Sequence, residues 1–122
     1  MNSKDILKKI PDFDDMLGII DNITELQRRK LVLDVEIKNA ESDVVREVTT
    51  NPDYFQSGKQ PSMSYIDATY KHRGVKDEII PMRMELANVV ADLDRLRNRL
   101  DAFKTLLEIW RTLSANERKA VI

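Results

Sequence analysis

From Tyr65 onward, side chains recur in alternating steps of three and four. The series runs Tyr65, Ala68, His72, Val75, Ile79, Met82, Leu86 and Val89, then Leu93, Leu96, Leu100, Phe103, Leu107 and Trp110. Of these fourteen positions only His72 is polar. A stripe at this spacing is the a/d seam of a helix lying along another helix, and it is sustained well past the few heptads that chance imitates. A continuous helix from 65 to 110 would run roughly 70 Å. Ser64, with Asp67 three residues on, resembles a capping box, so the spacing predicts a second long helix over 64–113 and a tail over 114–122. Gly74 weakens its first turns, and Pro81 lacks the amide hydrogen that the Asp77 carbonyl needs, so a kink is expected at Pro81.

The first half carries a shorter stripe through Ile19, Ile23, Leu26, Leu33, Ile37, Ala40 and Val44, interrupted at Lys30. "LVLDVEIK" also alternates as a strand would, but no turn residues bound it and the helical stripe runs longer. Asn22 with Glu25 is a plausible cap and Asn51-Pro52 a stop, which predicts a first helix over 22–50. Ahead of it, residues 1–21 form an acidic segment in which "PDFDDMLGIID" predicts a short helix ending near Gly18. Residues 51–63 are left as a loop. With 34% charged residues and 6% aromatic, the 122-residue chain has the profile of one helix-rich domain. The expected fold is all-α: two long helices in an antiparallel coiled-coil hairpin with a short N-terminal helix. The register then sets Ala40 near His72. Ile80, Met84, Ala87, Leu106, Ile109 and Leu113 widen the second stripe beyond a two-stranded seam, so a homo-oligomer is expected.

Composition excludes several classes of function. There is no cysteine, hence no disulfide scaffold or thiol nucleophile. No apolar run reaches the ~20 residues of a membrane span, and "MNSKDILKKIPDFDD" lacks the apolar core of a signal peptide, so a cytoplasmic protein with no membrane partner is expected. One histidine makes no His-rich metal site, and no phosphate-binding glycine loop or nucleophile motif occurs. No enzyme activity, metal or cofactor is expected. Asp12, Asp14 and Asp15 read as an acidic helix start favoured by the macrodipole. Arg95, Arg97 and Arg99 read as a salt-bridged flank, with Asp92 reaching Arg95 and Asp101 reaching Arg97. His72 reads as a packed seam residue, and Tyr65 as a plug at the open end of the hairpin.

The loop region differs from the rest. Between Tyr54 and Lys76 lie four positive side chains, Lys59, Lys71, Arg73 and Lys76, against the single acid Asp67, a window of +3 in a chain of −1. Tyr54, Phe55, Tyr65 and Tyr70 are interleaved with them, whereas residues 10–26 carry five acids and no base. Cations that follow a backbone, with flat rings on which bases stack, are what sequence-tolerant binding of single strands requires. The alternative reading packs those rings against the helices and makes the chain a structural coiled-coil adaptor or virion assembly protein that binds no nucleic acid.

An acidic N-terminal section, a long helix, a turn reading "PDYFQSGKQ" and a second long helix ending in "LDAFKTLLEIWRTLSANERK" together resemble the UvsY-type recombination mediators of phages. The resemblance is topological, covers about residues 20–118, and has one local marker in Tyr54, Phe55, Ser57 and Gly58. It implies a ring-forming helical protein of the host cytoplasm that binds single-stranded DNA. Such a protein helps a RecA-like recombinase displace a single-strand binding protein. In that family, basic residues just ahead of the aromatic pair contact DNA. Here "VVREVTTNPDYF" offers only Arg46 at that place, which shifts the contact to Lys59, Lys71 and Arg73. Arg46, Tyr54, Phe55, Lys59, Tyr70, Lys71, Arg73 and Lys76 are thus the candidate nucleic-acid-binding residues.

Overall fold

A computed structural model describes residues 1–121. Its helices are α1 (Ser3–Leu7), α2 (Phe13–Thr50), α3 (Met63–Ile66) and α4 (Ile79–Val121), and no strand forms among the described residues. The two long helices, α2 and α4, pack together. The chain divides into two compact units, one made of Arg28–Val90 and the other of Met1–Gln27 with Ala91–Ile122.

In the first of these units the core combines seam positions with two residues outside the predicted stripes, Val48 and Ile66. Ile37, Val44 and Val48 of α2 are buried with Ile66 and Ile79, and Ala40, Val75, Met82 and Leu86 pack against them. Beside Lys30, which breaks the stripe, Arg29 reaches α4. Its Nε and Nη2 donate to Glu85 Oε1 at 3.0 and 2.5 Å, with Glu36 at 3.9 Å. Farther along α2, Glu41 meets Arg83. A later residue of α2 thus meets an earlier residue of α4, so the helices run in opposite senses here. Ala40, expected near His72, packs against the Ile79 cluster, and its neighbour Glu41 and the His72 carbonyl share Arg83.

The second long helix does not begin at Ser64. The Ser62 hydroxyl caps α3 by accepting from the Tyr65 amide at 3.2 Å, and α3 runs into a π-helical turn over 67–71. The chain then breaks between Gly74 and Glu78, with Gly74 at φ +88° and Asp77 at φ +59°. The Glu78 carboxylate accepts from the amides of Val75 at 3.2 Å and Lys76 at 2.7 Å, and the Arg73 carbonyl accepts from the Ile79 amide at 2.9 Å. A Cβ at Gly74 would collide with that carboxylate. Because α4 starts at Ile79, Pro81 falls in its first turn, where a missing N–H costs nothing, and the expected kink has no cause. The seam holds from Ile79 onward only. Of the four positions before it, Val75 is half-buried, while Tyr65, Ala68 and His72 are exposed.

In the other unit, Ile6, Leu93 and Leu96 are buried. The acidic segment is already helix: α2 passes through Gly18 and Asn22 without a break, and the Asp12 carboxylate accepts from the Asp15 amide at 2.8 Å as its cap. Asn2 and Asp5 close a capping box on α1, and Ser3 donates to Glu117 through its amide at 2.9 Å and its hydroxyl at 2.5 Å. These two bonds hold the Glu117 carboxyl below the usual range. The expected tail after residue 113 is helical to Val121, and Ile122 lies outside the described residues.

Candidate nucleic-acid interface

The segment between α2 and α4 is ordered by local chemistry. The Asn51 side chain accepts from the Asp53 amide at 3.0 Å and starts a 3₁₀ turn over Pro52–Tyr54. Gln56 and Lys59 then exchange backbone bonds of 2.8 and 3.0 Å around Ser57 at φ +51° and Gly58 at φ +76°. Two successive residues at positive φ make the tight hairpin turn, and Ser-Gly supplies them. The Gln60 side chain donates to the Thr49 carbonyl at 2.7 Å and ties the loop to the last turn of α2.

Three tyrosines converge above the core. Tyr70 stands edge-on to Tyr54, with centroids 5.7 Å apart at 81°, and to Tyr65, 5.9 Å apart at 73°. Both distances lie in the favourable range for edge-to-face rings. Burial raises the Tyr70 phenol above its ordinary value, and its neighbour Tyr65 adds to the effect. Tyr54 and Tyr70 are half-buried and packed on the Ile66–Ile79 cluster, and Phe55 is half-buried as well. Tyr65 is the most exposed of the three, at 38%, and also shares a side-chain hydrogen bond with Tyr70. The expected seam plug is therefore the outer ring of an aromatic cluster. His72, expected in the seam, is also on the surface, its carbonyl accepting from Arg83 Nε at 2.9 Å.

The cations around this cluster differ in their surroundings. Lys59 is exposed on the hairpin turn. Lys71 lies 3.7 Å from Asp67 Oδ1 at i−4, an oxygen that is itself buried and accepts no hydrogen bond. Arg73 is held more firmly, donating to the Thr69 carbonyl at 2.7 Å and lying 3.9 Å from Asp77. Lys76 lines a cleft of about 360 Å³ with Tyr54, Ala40, Val44 and Val75, but also with Asp43, Glu47 and Glu78. Arg46 is exposed on α2 and paired with Asp43 at 3.5 Å. The acids beside Lys76 and Arg46 lie outside the +3 window of sequence: Asp43 and Glu47 arrive from α2, and Glu78 lies just past it. Among the described residues no group of three side chains forms that would hold a metal ion.

No family model, curated protein or solved structure matches this chain.

Proposed function

We propose that the protein is a non-enzymatic accessory factor that binds single-stranded nucleic acid through the segment between α2 and α4. In this reading it acts in the cytoplasm as a self-assembling mediator of recombinase loading. The observation that carries it is the gathering of Tyr54, Tyr65 and Tyr70 into one cluster with Lys59, Lys71 and Arg73 on the adjoining backbone. Tyr65 offers a base the accessible ring, and the cations follow the phosphates. A few cations bind a polyanion weakly, and several copies acting together multiply that into useful affinity.

Self-assembly is supported by apolar surface that each unit leaves uncovered. In one unit, Leu31 is 66% and Met84 62% exposed, with Val35 and Ile80 also on the surface. In the other, Phe13 is 74% exposed and Ile109 stands open beside Thr105, Thr112 and Leu113. Those same faces support the second reading, a structural coiled-coil adaptor without nucleic-acid binding.

Fluorescence anisotropy with a labelled single-stranded oligonucleotide at two salt concentrations separates the two. The first reading expects binding at ~50 mM salt that weakens as salt rises, and a K71A/R73A variant that binds less with a flatter salt dependence while its assembly is unchanged. No anisotropy change at low salt would leave the adaptor reading standing alone.

A further inference from the structure

A second cleft, of about 330 Å³, is lined by Lys38, Glu41, Ser42 and Val45 of α2 together with Lys71. Lys38, Ser42 and Val45 follow one another at four and three residues, so they share a face of the helix. Lys71 is the last residue of the π-helical turn. Such turns re-aim side chains and recur at functional sites. Two lysines and a serine therefore line one hollow. The one carboxylate there, Glu41, is engaged by the Arg83 guanidinium, whose Nε also donates to the His72 carbonyl. Arg83 thus neutralises the acid and fastens the chain just after Lys71 to α2. Lys38 is exposed and forms no ion pair among the described residues.

The geometry points to this hollow as a phosphate-binding continuation of the interface, with Lys38, Ser42 and Lys71 holding a phosphodiester group of the bound single strand. The inference rests on the reading of the aromatic cluster as a nucleic-acid contact, and adds the direction in which the backbone leaves it. The cleft at Tyr54 and Lys76 carries three carboxylates, Asp43, Glu47 and Glu78, and repels a polyanion. The cleft at Lys71 has its single lining carboxylate paired, and of its two lysines Lys38 is unpaired among the described residues while Lys71 lies 3.7 Å from Asp67. A strand stacked on Tyr65 therefore runs over Lys71 onto Lys38. Lys38 donates to phosphate oxygen as a point charge, and the Ser42 hydroxyl supplies a neutral donor beside it.

The test is a salt titration of labelled oligothymidylate binding for wild type, K38A, K38R and S42D, with helix content followed by circular dichroism. Loss of one phosphate contact on a single strand flattens the plot of log affinity against log salt by about 0.7. K38A is expected to show that change, K38R to keep the wild-type slope, and S42D to weaken binding by placing a charge in the hollow. A K38A slope and affinity equal to wild type, while K71A/R73A remains impaired, would overturn the path over Lys38 and leave the interface itself intact. Absence of binding by the wild type at ~50 mM salt would overturn both.

Discussion

Arg83 and Glu41 form an ion pair between α4 and α2 whose second anchor is the His72 carbonyl, so one guanidinium ties three parts of the chain together. The Glu41 side chain is only 19% exposed, and it depends on Arg83 for its partner. Removing Arg83 leaves a largely covered carboxylate unpaired, and a hydrogen bond to a charged group contributes about 1.5–3 kcal/mol before solvent screening of the exposed guanidinium reduces it. R83M is therefore expected to lower stability by about 1–2 kcal/mol in urea unfolding. The double variant E41Q/R83M should recover part of that loss, because the stranded charge is gone. A double variant less stable than R83M would show that the carboxylate is not the source of the cost.

The break before α4 depends on Gly74. At φ +88° an L side chain is strained, and a Cβ there also meets the Glu78 carboxylate that holds the Val75 and Lys76 amides. G74A is expected to destabilise by about 1–3 kcal/mol. Gly18 makes the contrast, since it lies inside α2 with open space around its Cα. G18A should raise stability by up to ~1 kcal/mol, the helix propensity difference. Thermal unfolding of the two variants beside wild type checks both signs.

Two carboxyls set the acid limb of stability. For Glu78, burial alone would raise the pKa, but backbone amides, its own and those of Lys76 and Val75, together with the Lys76 charge, bring it below its ordinary value. For Glu117, hydrogen bonds from Ser3 do the same. A carboxyl depressed in the folded state stabilises above its unfolded pKa, and that contribution is lost as pH falls through the folded one. Stability is thus expected to be level near neutrality and to decline below about pH 4.5, near the unfolded carboxylate value. E78Q and E117Q should each flatten the decline while lowering the plateau. Urea midpoints measured from pH 7 to pH 3 give the comparison, and unchanged acid limbs in both variants would contradict the assignment.

Periodicity identifies most of the core, because a seam is a property of spacing alone: Leu33, Ile37 and Val44 on α2, and Ile79, Val89, Leu93 and Leu96 on α4, are buried as their positions require, whereas the buried Ile6, Val48 and Ile66 lie outside the stripes. Continuity does not follow from spacing. The 3-4 stripe extends through Tyr65, Ala68, His72 and Val75, yet a positive φ at Gly74 and Asp77 ends the helix between Lys71 and Ile79. Gly74 was the visible signal, and it outweighs Pro81, which is harmless in a first turn. The aromatic and basic content of the site was legible as composition. Its geometry was not, since Asp43 and Glu47 in one cleft and Lys38 in the other come from α2, about thirty residues from the Lys71–Lys76 stretch they border.

The three tyrosines are expected to divide their roles by burial. Tyr70 stands between the other two rings and packs on the core, so Y70A removes both edge-to-face contacts and opens a cavity. It should destabilise the fold by less than the ~3–5 kcal/mol of losing a fully buried aromatic, because Tyr70 is only half-buried. Tyr65 is the most exposed of the three, and Y65A, which loses one edge-to-face contact, should cost about 0.5–1.5 kcal/mol of stability. If a base stacks on that ring, the same substitution weakens single-strand binding by about 1–3 kcal/mol, while Y65F, which keeps the π-face, binds as wild type does. Anisotropy titrations of Y65A and Y65F, run beside their unfolding curves, distinguish a stacking platform from a packing residue. A Y65A protein that folds and binds like wild type would remove Tyr65 from the interface.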